Sequence, residues 1–319
     1  MKRVNQLMED FMKRKELFMV IVFVVTGLFA VSLLAQDVVQ QVGTAGSVDW
    51  TAQKIKATGY GAPPPNLPSA AQRAAAIEAA KVVALRNLLA TIKGMALNSE
   101  TTVENYMVTS DVIRTKVEGV VRGFTVVDIR YMSTGDVEVD VEMPISGALS
   151  DILLPQQFGG GQLMAVAQPL CPTCGQPWPA GKPVPPGVKL IMPPGTAQPG
   201  GAEAPSAAYT GLVIDARGLQ LRPAMSPKVL NEAGKEVYGS MYVSRDYAVQ
   251  IGVVGYAKSL EQARTNERVT DNPLVVKALK VVGPNRCDVV ISNSDAQMIH
   301  TAASTMNFLD HCRVILVVD

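Results

Sequence analysis

The sequence predicts an α+β fold: a long helix and a shorter one packed on a small antiparallel sheet, then a Pro/Gly-rich linker and a second, smaller mixed α/β domain. Three observations carry this expectation. Ser69 to Gly94 is alanine-rich, with apolar residues at helical spacing. Val137 to Met143 alternates apolar and acidic residues at the period of a strand. Between Pro155 and Ala208 the composition turns to glycine and proline, which bury too little apolar surface to offset ordering entropy.

The first segment, residues 1–36, carries an apolar run from Leu17 to Leu34 behind Lys2, Arg3, Lys13, Arg14 and Lys15. A basic flank before an apolar stretch is the pattern of export, with the basic side left in the cytoplasm. The run is longer than the core of a usual signal peptide and slightly short of the ~20 residues of a span. Two readings stand, a cleaved signal peptide and an uncleaved membrane anchor. Both place the rest of the chain in the cell envelope, on the periplasmic side, anchored to the inner membrane or released. The first cysteine is Cys171, so no cysteine directly follows the run to accept a lipid.

Residues 37–50 are polar and small and read as a tether. The domain 51–154 follows. Its first strand is Lys54 to Tyr60, and Pro63-Pro64-Pro65 then forbids helix and ladder bonds. Ser69 with Gln72 has capping-box spacing for the long helix, which Gly94 ends. Ile77, Ala84, Leu85, Leu88, Leu89 and Ile92 form its apolar face. Lys81 falls near the middle of that face, a flaw in the pattern; its stem is expected to pack while its ammonium reaches an edge. A second helix spans Ser110 to Val121, with Ser110 as cap and Val112, Ile113, Val117, Val120 and Val121 as its apolar side. A hairpin completes the domain: Phe124 to Tyr131, a turn at Ser133-Thr134-Gly135-Asp136, then Val137 to Met143. Its Val/Met face packs on the long helix, and Glu138, Asp140 and Glu142 face water.

Residues 155–208 form the linker, and the C-terminal domain covers 209–319. There Tyr209 to Ala216, Leu274 to Val282, Cys287 to Ser292 and Cys312 to Val318 read as strands, with short strands within Lys228 to Tyr238. Asp295 to Phe308 reads as a helix. The order strand, helix, strand at the end of the chain suggests a β-α-β unit.

Composition excludes some functions. Net charge is +1, from 29 basic and 28 acidic residues, so no broad electrostatic pull on nucleic acid exists. Glycine loops for phosphates and dinucleotide fingerprints are absent, and no cofactor is expected apart from zinc at one motif. That motif is Cys171-Pro-Thr-Cys174, half a zinc knuckle without its second half; in an exported protein a local disulfide or inert thiols explain it better than zinc does. Cys287 and Cys312 are candidates for a bridge in an exported protein. The row Glu138, Asp140 and Glu142 is a candidate calcium ligand set, a solvated strand face, or an assembly surface together with Lys81. Asp215-Ala216-Arg217-Gly218 is a strand-end loop with good turn chemistry, and no nucleophile pattern accompanies His300 or His311. The chain is therefore expected not to be an enzyme.

ATGYG from Ala57, the helix AAQRAAAIEAAKVVALRNLLATIKG and the hairpin VRGFTVVDIRYMSTGDVEVDVEMPI together resemble the LPP-twenty family of bacterial lipoproteins, which includes a flagellar basal-disk protein. The resemblance spans Ala57 to Leu149. It implies a non-catalytic envelope protein with a helix on an antiparallel sheet, acting through self-association or through envelope and flagellar proteins, with outer-membrane association in the family. The missing lipid-accepting cysteine departs from that pattern.

Overall fold

The computed structural model describes residues 36–161, 185, 188 and 209–319. The apolar run Leu17 to Leu34, the Cys171/Cys174 motif and most of the linker lie outside the described residues.

The N-terminal part is a five-stranded antiparallel sheet in the order β1-β2-β3-β5-β4. These strands are β1 (Val39–Val42), β2 (Gly46–Asp49), β3 (Lys54–Gly61), β4 (Thr125–Tyr131) and β5 (Val137–Pro144). Helix α1 (Ser69–Lys93) lies across β3 and β5. After it come α2 (Val103–Val108), α3 (Asp111–Val121) and α4 (Ala148–Leu153). The stretch expected to be a tether is instead β1 and β2. Val38, Val48 and Trp50 are buried there, because alternate residues of even a short polar strand reach the core once its neighbour β3 is in place.

Close approach of α1 to the sheet follows from residue size. The helix buries Ala76, Ala80, Ala84, Leu88 and Ile92, one residue every turn. Opposite the alanines stand Gly59 and Gly61, which have no side chain to hold the helix away. The apolar face is therefore centred on the alanines, and the line Ile77, Lys81, Leu85, Leu89 runs along its flank, half-buried. Pro68 occupies the N-cap without a side-chain cap bond, and Gln72 reaches back to the Leu67 carbonyl (2.8 Å), so the expected capping box does not form. Ser110 does cap α3, accepting from the Ile113 N–H at 3.4 Å. Val112, expected on the apolar side of α3, is exposed; Val117 and Val121 are the buried pair.

The C-terminal part holds two further sheets. A parallel sheet runs β10-β6-β13-β9, from β6 (Gly211–Asp215), β9 (Gly255–Ala257), β10 (Pro273–Lys277) and β13 (Val314–Val317). The four residues of β13 are all buried, as both faces of a parallel sheet are covered. A mixed sheet runs β11-β12-β7-β8, from β7 (Val229–Asn231), β8 (Glu236–Tyr238), β11 (Lys280–Val282) and β12 (Asp288–Ile291). Helices α5 (Arg245–Ile251), α6 (Leu260–Arg264) and α7 (Asn293–Met306) complete it. The strands flanking α7 belong to different sheets, so the expected terminal β-α-β unit is not one. Both strands are buried along their whole length, and an apolar run does not encode which sheet a strand joins.

Asp37–Asp319 is a single compact unit. One hydrophobic cluster runs from Leu88 and Ile92 through Trp50 to Tyr238 and Phe308. Trp50 meets Tyr256 edge-on with ring centroids 5.6 Å apart, and the Thr51 hydroxyl donates to the Tyr256 carbonyl at 3.3 Å. The N–H groups of Met225 and Ser226 donate to the carbonyls of Ala96 and Leu97 (3.1 and 2.8 Å), and the Asn285 amide donates to the Asn98 carbonyl at 2.8 Å. Arg245 holds Asp151 at 2.7 Å.

Candidate functional site

The outer face of the N-terminal sheet gathers the largest group of charged residues singled out from the sequence. Alternation along β5 buries Val137, Val139, Val141 and Met143 and turns Glu138, Asp140 and Glu142 outward. Register then fixes their neighbours. Tyr60, Thr58 and Lys56 of β3 stand opposite Glu138, Asp140 and Glu142, while Arg130 and Asp128 of β4 stand opposite Glu138 and Asp140.

Arg130 is the hub. Its Nε donates to Glu138 at 2.9 Å, and its Nη1 to Asp140 at 2.5 Å and to Asp128 at 2.8 Å, a use of the guanidinium's several fixed donors that an ammonium does not reproduce. Thr58 donates to Asp140 at 2.7 Å and Lys54 to Glu142 at 2.8 Å. Hydrogen bonds from Arg130 hold the Glu138 and Asp140 carboxyls below the usual carboxylate range, and the hydrogen bond to Glu138 raises the Tyr60 phenol. Beside this lattice lies an open depression of about 480 Å³, bordered by Gln41, Ser47, Lys56, Thr58, Asp140 and Glu142.

Three of the carboxylates, Asp128, Glu138 and Asp140, converge on the Arg130 guanidinium, while Glu142 pairs with Lys54. Among the described residues no group of three or more His, Cys, Asp or Glu is placed to hold a metal ion, which departs from the calcium reading. The face is polar and its charges are already internally paired. Arg130, Thr58 and Tyr60 were not singled out from the sequence. The turn at Ser133 to Asp136 did hold the signal for the first, because a hairpin closed there sets Arg130 opposite Glu138.

Lys81 lies apart from this face, on α1. Its ammonium pairs with Glu78 at 2.8 Å and its side chain is one-third exposed, so it is a flank residue and not a buried lysine.

The remaining candidates sit elsewhere. Cys287 and Cys312, the candidate bridge, are free and buried in the structure. Each thiol has its own surroundings: Cys287 lies 3.8 Å from Asp288, and Cys312 lies beside Tyr238 and Arg268. Burial pushes both up, Cys312 to about 12. Asp288 is buried and raised by desolvation; the Lys228 N–H donates to it at 2.8 Å and Ser99 also bonds it. Asp215 accepts two bonds from the Arg217 guanidinium (2.8 and 2.7 Å), as a closed turn does. His300 is buried against Tyr242 with its Nε2 2.8 Å from the Val237 carbonyl, while His311 packs against Tyr247 with the rings tilted 49° to each other. The two histidines thus have separate neighbours. Cys171 and Cys174 lie outside the described residues.

Comparison with known proteins gives each part its own likeness. Residues 50–143 match the family model for LPP20 lipoprotein, the segment that supplies β3, α1, β4 and nearly all of β5, while β1 and β2 lie before it. Residues 211–319 match the model for the second domain of Treponema pallidum Tp0624. No curated protein matches the chain. The N-terminal part is thus an α+β fold similar, over residues 50–143, to LPP20 lipoprotein. Among the described residues no helix is long and apolar enough to cross a membrane.

Proposed function

We propose that this chain is an exported cell-envelope protein that works by docking and assembly and not by catalysis. The observation that carries the reading is the LPP20 match over residues 50–143, the same residues that present the charged sheet face. The apolar run behind a basic flank supports export and membrane association. The outward row of Glu138, Asp140 and Glu142, ordered by Arg130 and Lys54, supplies a surface of fixed charge for self-association or for envelope partners. Flagellar basal-body association is the finer form of the proposal. Chemical cross-linking in intact cells tests it. Cross-links from Lys54 or Lys56 to envelope proteins or to a second copy are expected, and a protein found free in the cytoplasm with none contradicts it.

A second reading is favoured by the spacing of Cys171 and Cys174, which fits a zinc ligand pair in a periplasmic binding module. Metal analysis of protein purified without chelator separates the two. Stoichiometric zinc that disappears in Cys171→Ser supports the binding module, and metal-free protein removes it.

A further inference from the structure

The five-stranded sheet ends on β4, and among the described residues no strand pairs with its outer side. The direction of its backbone groups can be read from the hairpin. Met132 faces the turn: its N–H donates to the Asp136 carbonyl (2.9 Å) and its carbonyl accepts from Gly135 (3.0 Å). Two residues back, Arg130 faces β5 in the same way, and the peptide groups of Ile129 and Tyr131 face outward. The Ile129 N–H accordingly finds no strand and donates to the Asp128 carboxylate at 2.9 Å. Val127 and Tyr131, 58% and 57% exposed, flank it.

Charge along this edge is self-complementary about Ile129. An antiparallel copy centred there sets Asp128 opposite Arg130 of the second copy, and Arg130 opposite Asp128 of the second copy. The exchange is available because Arg130 serves three carboxylates at once, Asp128, Glu138 and Asp140. Asp128 can pass to the other copy's guanidinium while Glu138 and Asp140 stay with their own. The outward N–H and carbonyl of Ile129 then gain strand partners in place of a side-chain cap. The other edge of the sheet, β1, is only four residues long and has no charged side chain.

We propose that two copies of this chain pair antiparallel along Val127–Tyr131, beyond the irregularity of β4 at Val126/Asp128, in the register centred on Ile129. This rests on the assembly reading and specifies which edge performs it.

The test uses the full chain in its native envelope, with Cys171 and Cys174 replaced by serine. Ile129→Cys should form a disulfide-linked dimer on mild oxidation, and Val39→Cys on the opposite edge should not. Ile129→Pro removes the outward N–H, along with a half-buried side chain packed on the core, and should weaken association of a chain that still folds at least about tenfold, through two lost strand bonds per dimer. Val127→Lys, a change at an exposed side chain, should lower the Ile129→Cys cross-link in the same sense, and it decides the matter if Ile129→Pro does not fold. Cross-linking through Val39→Cys alone, or an oligomer unaffected by both edge variants, overturns the edge assignment while leaving assembly standing. A chain that forms neither cross-link and sediments as a 34.0 kDa monomer overturns both.

Discussion

Gly59 on β3 sits against Ala80 of α1 so closely that a Cβ on the glycine would lie 2.2 Å from the Ala80 carbonyl oxygen. The Ala84 nitrogen would be equally near, and Gly61 meets Ala76 in the same way at 2.1 Å. The obstacles are backbone atoms, which no rotamer change can move aside. Gly59→Ala should therefore push the helix off the sheet and destabilise the fold by about 1–3 kcal/mol or more. Urea denaturation of the two proteins measures it, and an unchanged midpoint would show that α1 does not lie where the structure puts it.

Removing the hub of the charged face has a different signature. In Arg130→Gln the carboxyls of Glu138 and Asp140 lose the donor that holds them low, so their titrations should move upward. Their depressed folded-state values contribute stability that is present above the ordinary carboxylate range and lost as pH falls through the folded values. The wild type should therefore lose more stability on acidification than Arg130→Gln does. Thermal melts between about pH 6 and pH 3 compare them, across the range where carboxylates titrate.

Trp50 tests whether the two parts unfold together. Its ring is buried against Tyr256, at the junction of the N-terminal sheet with the parallel sheet. Trp50→Ala should cost about 3–5 kcal/mol. In the wild type, probes placed in either part should report one transition; two separated transitions in the wild type would show that the shared cluster does not couple them.

His300 is kept neutral by burial, which lowers it below the ordinary histidine value. The unfolded chain binds a proton from about pH 6.5 downward while the folded chain does not, so this residue makes stability fall as pH drops through that value. An NMR titration of the ring should find its midpoint below the ordinary histidine value of about 6.5.

Much of this architecture is legible in the residues themselves. The Val/Glu alternation of β5 names its buried face, and the ATGYG glycines with the helix alanines mark a close seam. What the sequence hides is of two kinds. VQQV and GSVD are too short and too polar to show a period, yet they become β1 and β2 because β3 offers them an unpaired edge. Lys81 appears central only while Leu85 and Leu89 define the apolar face; the true centre is set by Ala76, Ala80 and Ala84, whose importance lies in how little space they fill. Long-range partners such as Asn285 with Asn98, or Trp50 with Tyr256, leave no local pattern at all. The acidic row was visible as a row, but Arg130, which orders it, emerges only with the hairpin register.

The measurement that bears most directly on an envelope assembly role is the location and size of the native chain in fractionated cells. The protein should be recovered with the envelope and, after gentle extraction, should sediment in complexes well above its 34.0 kDa chain mass. Recovery as a cytoplasmic monomer would contradict it.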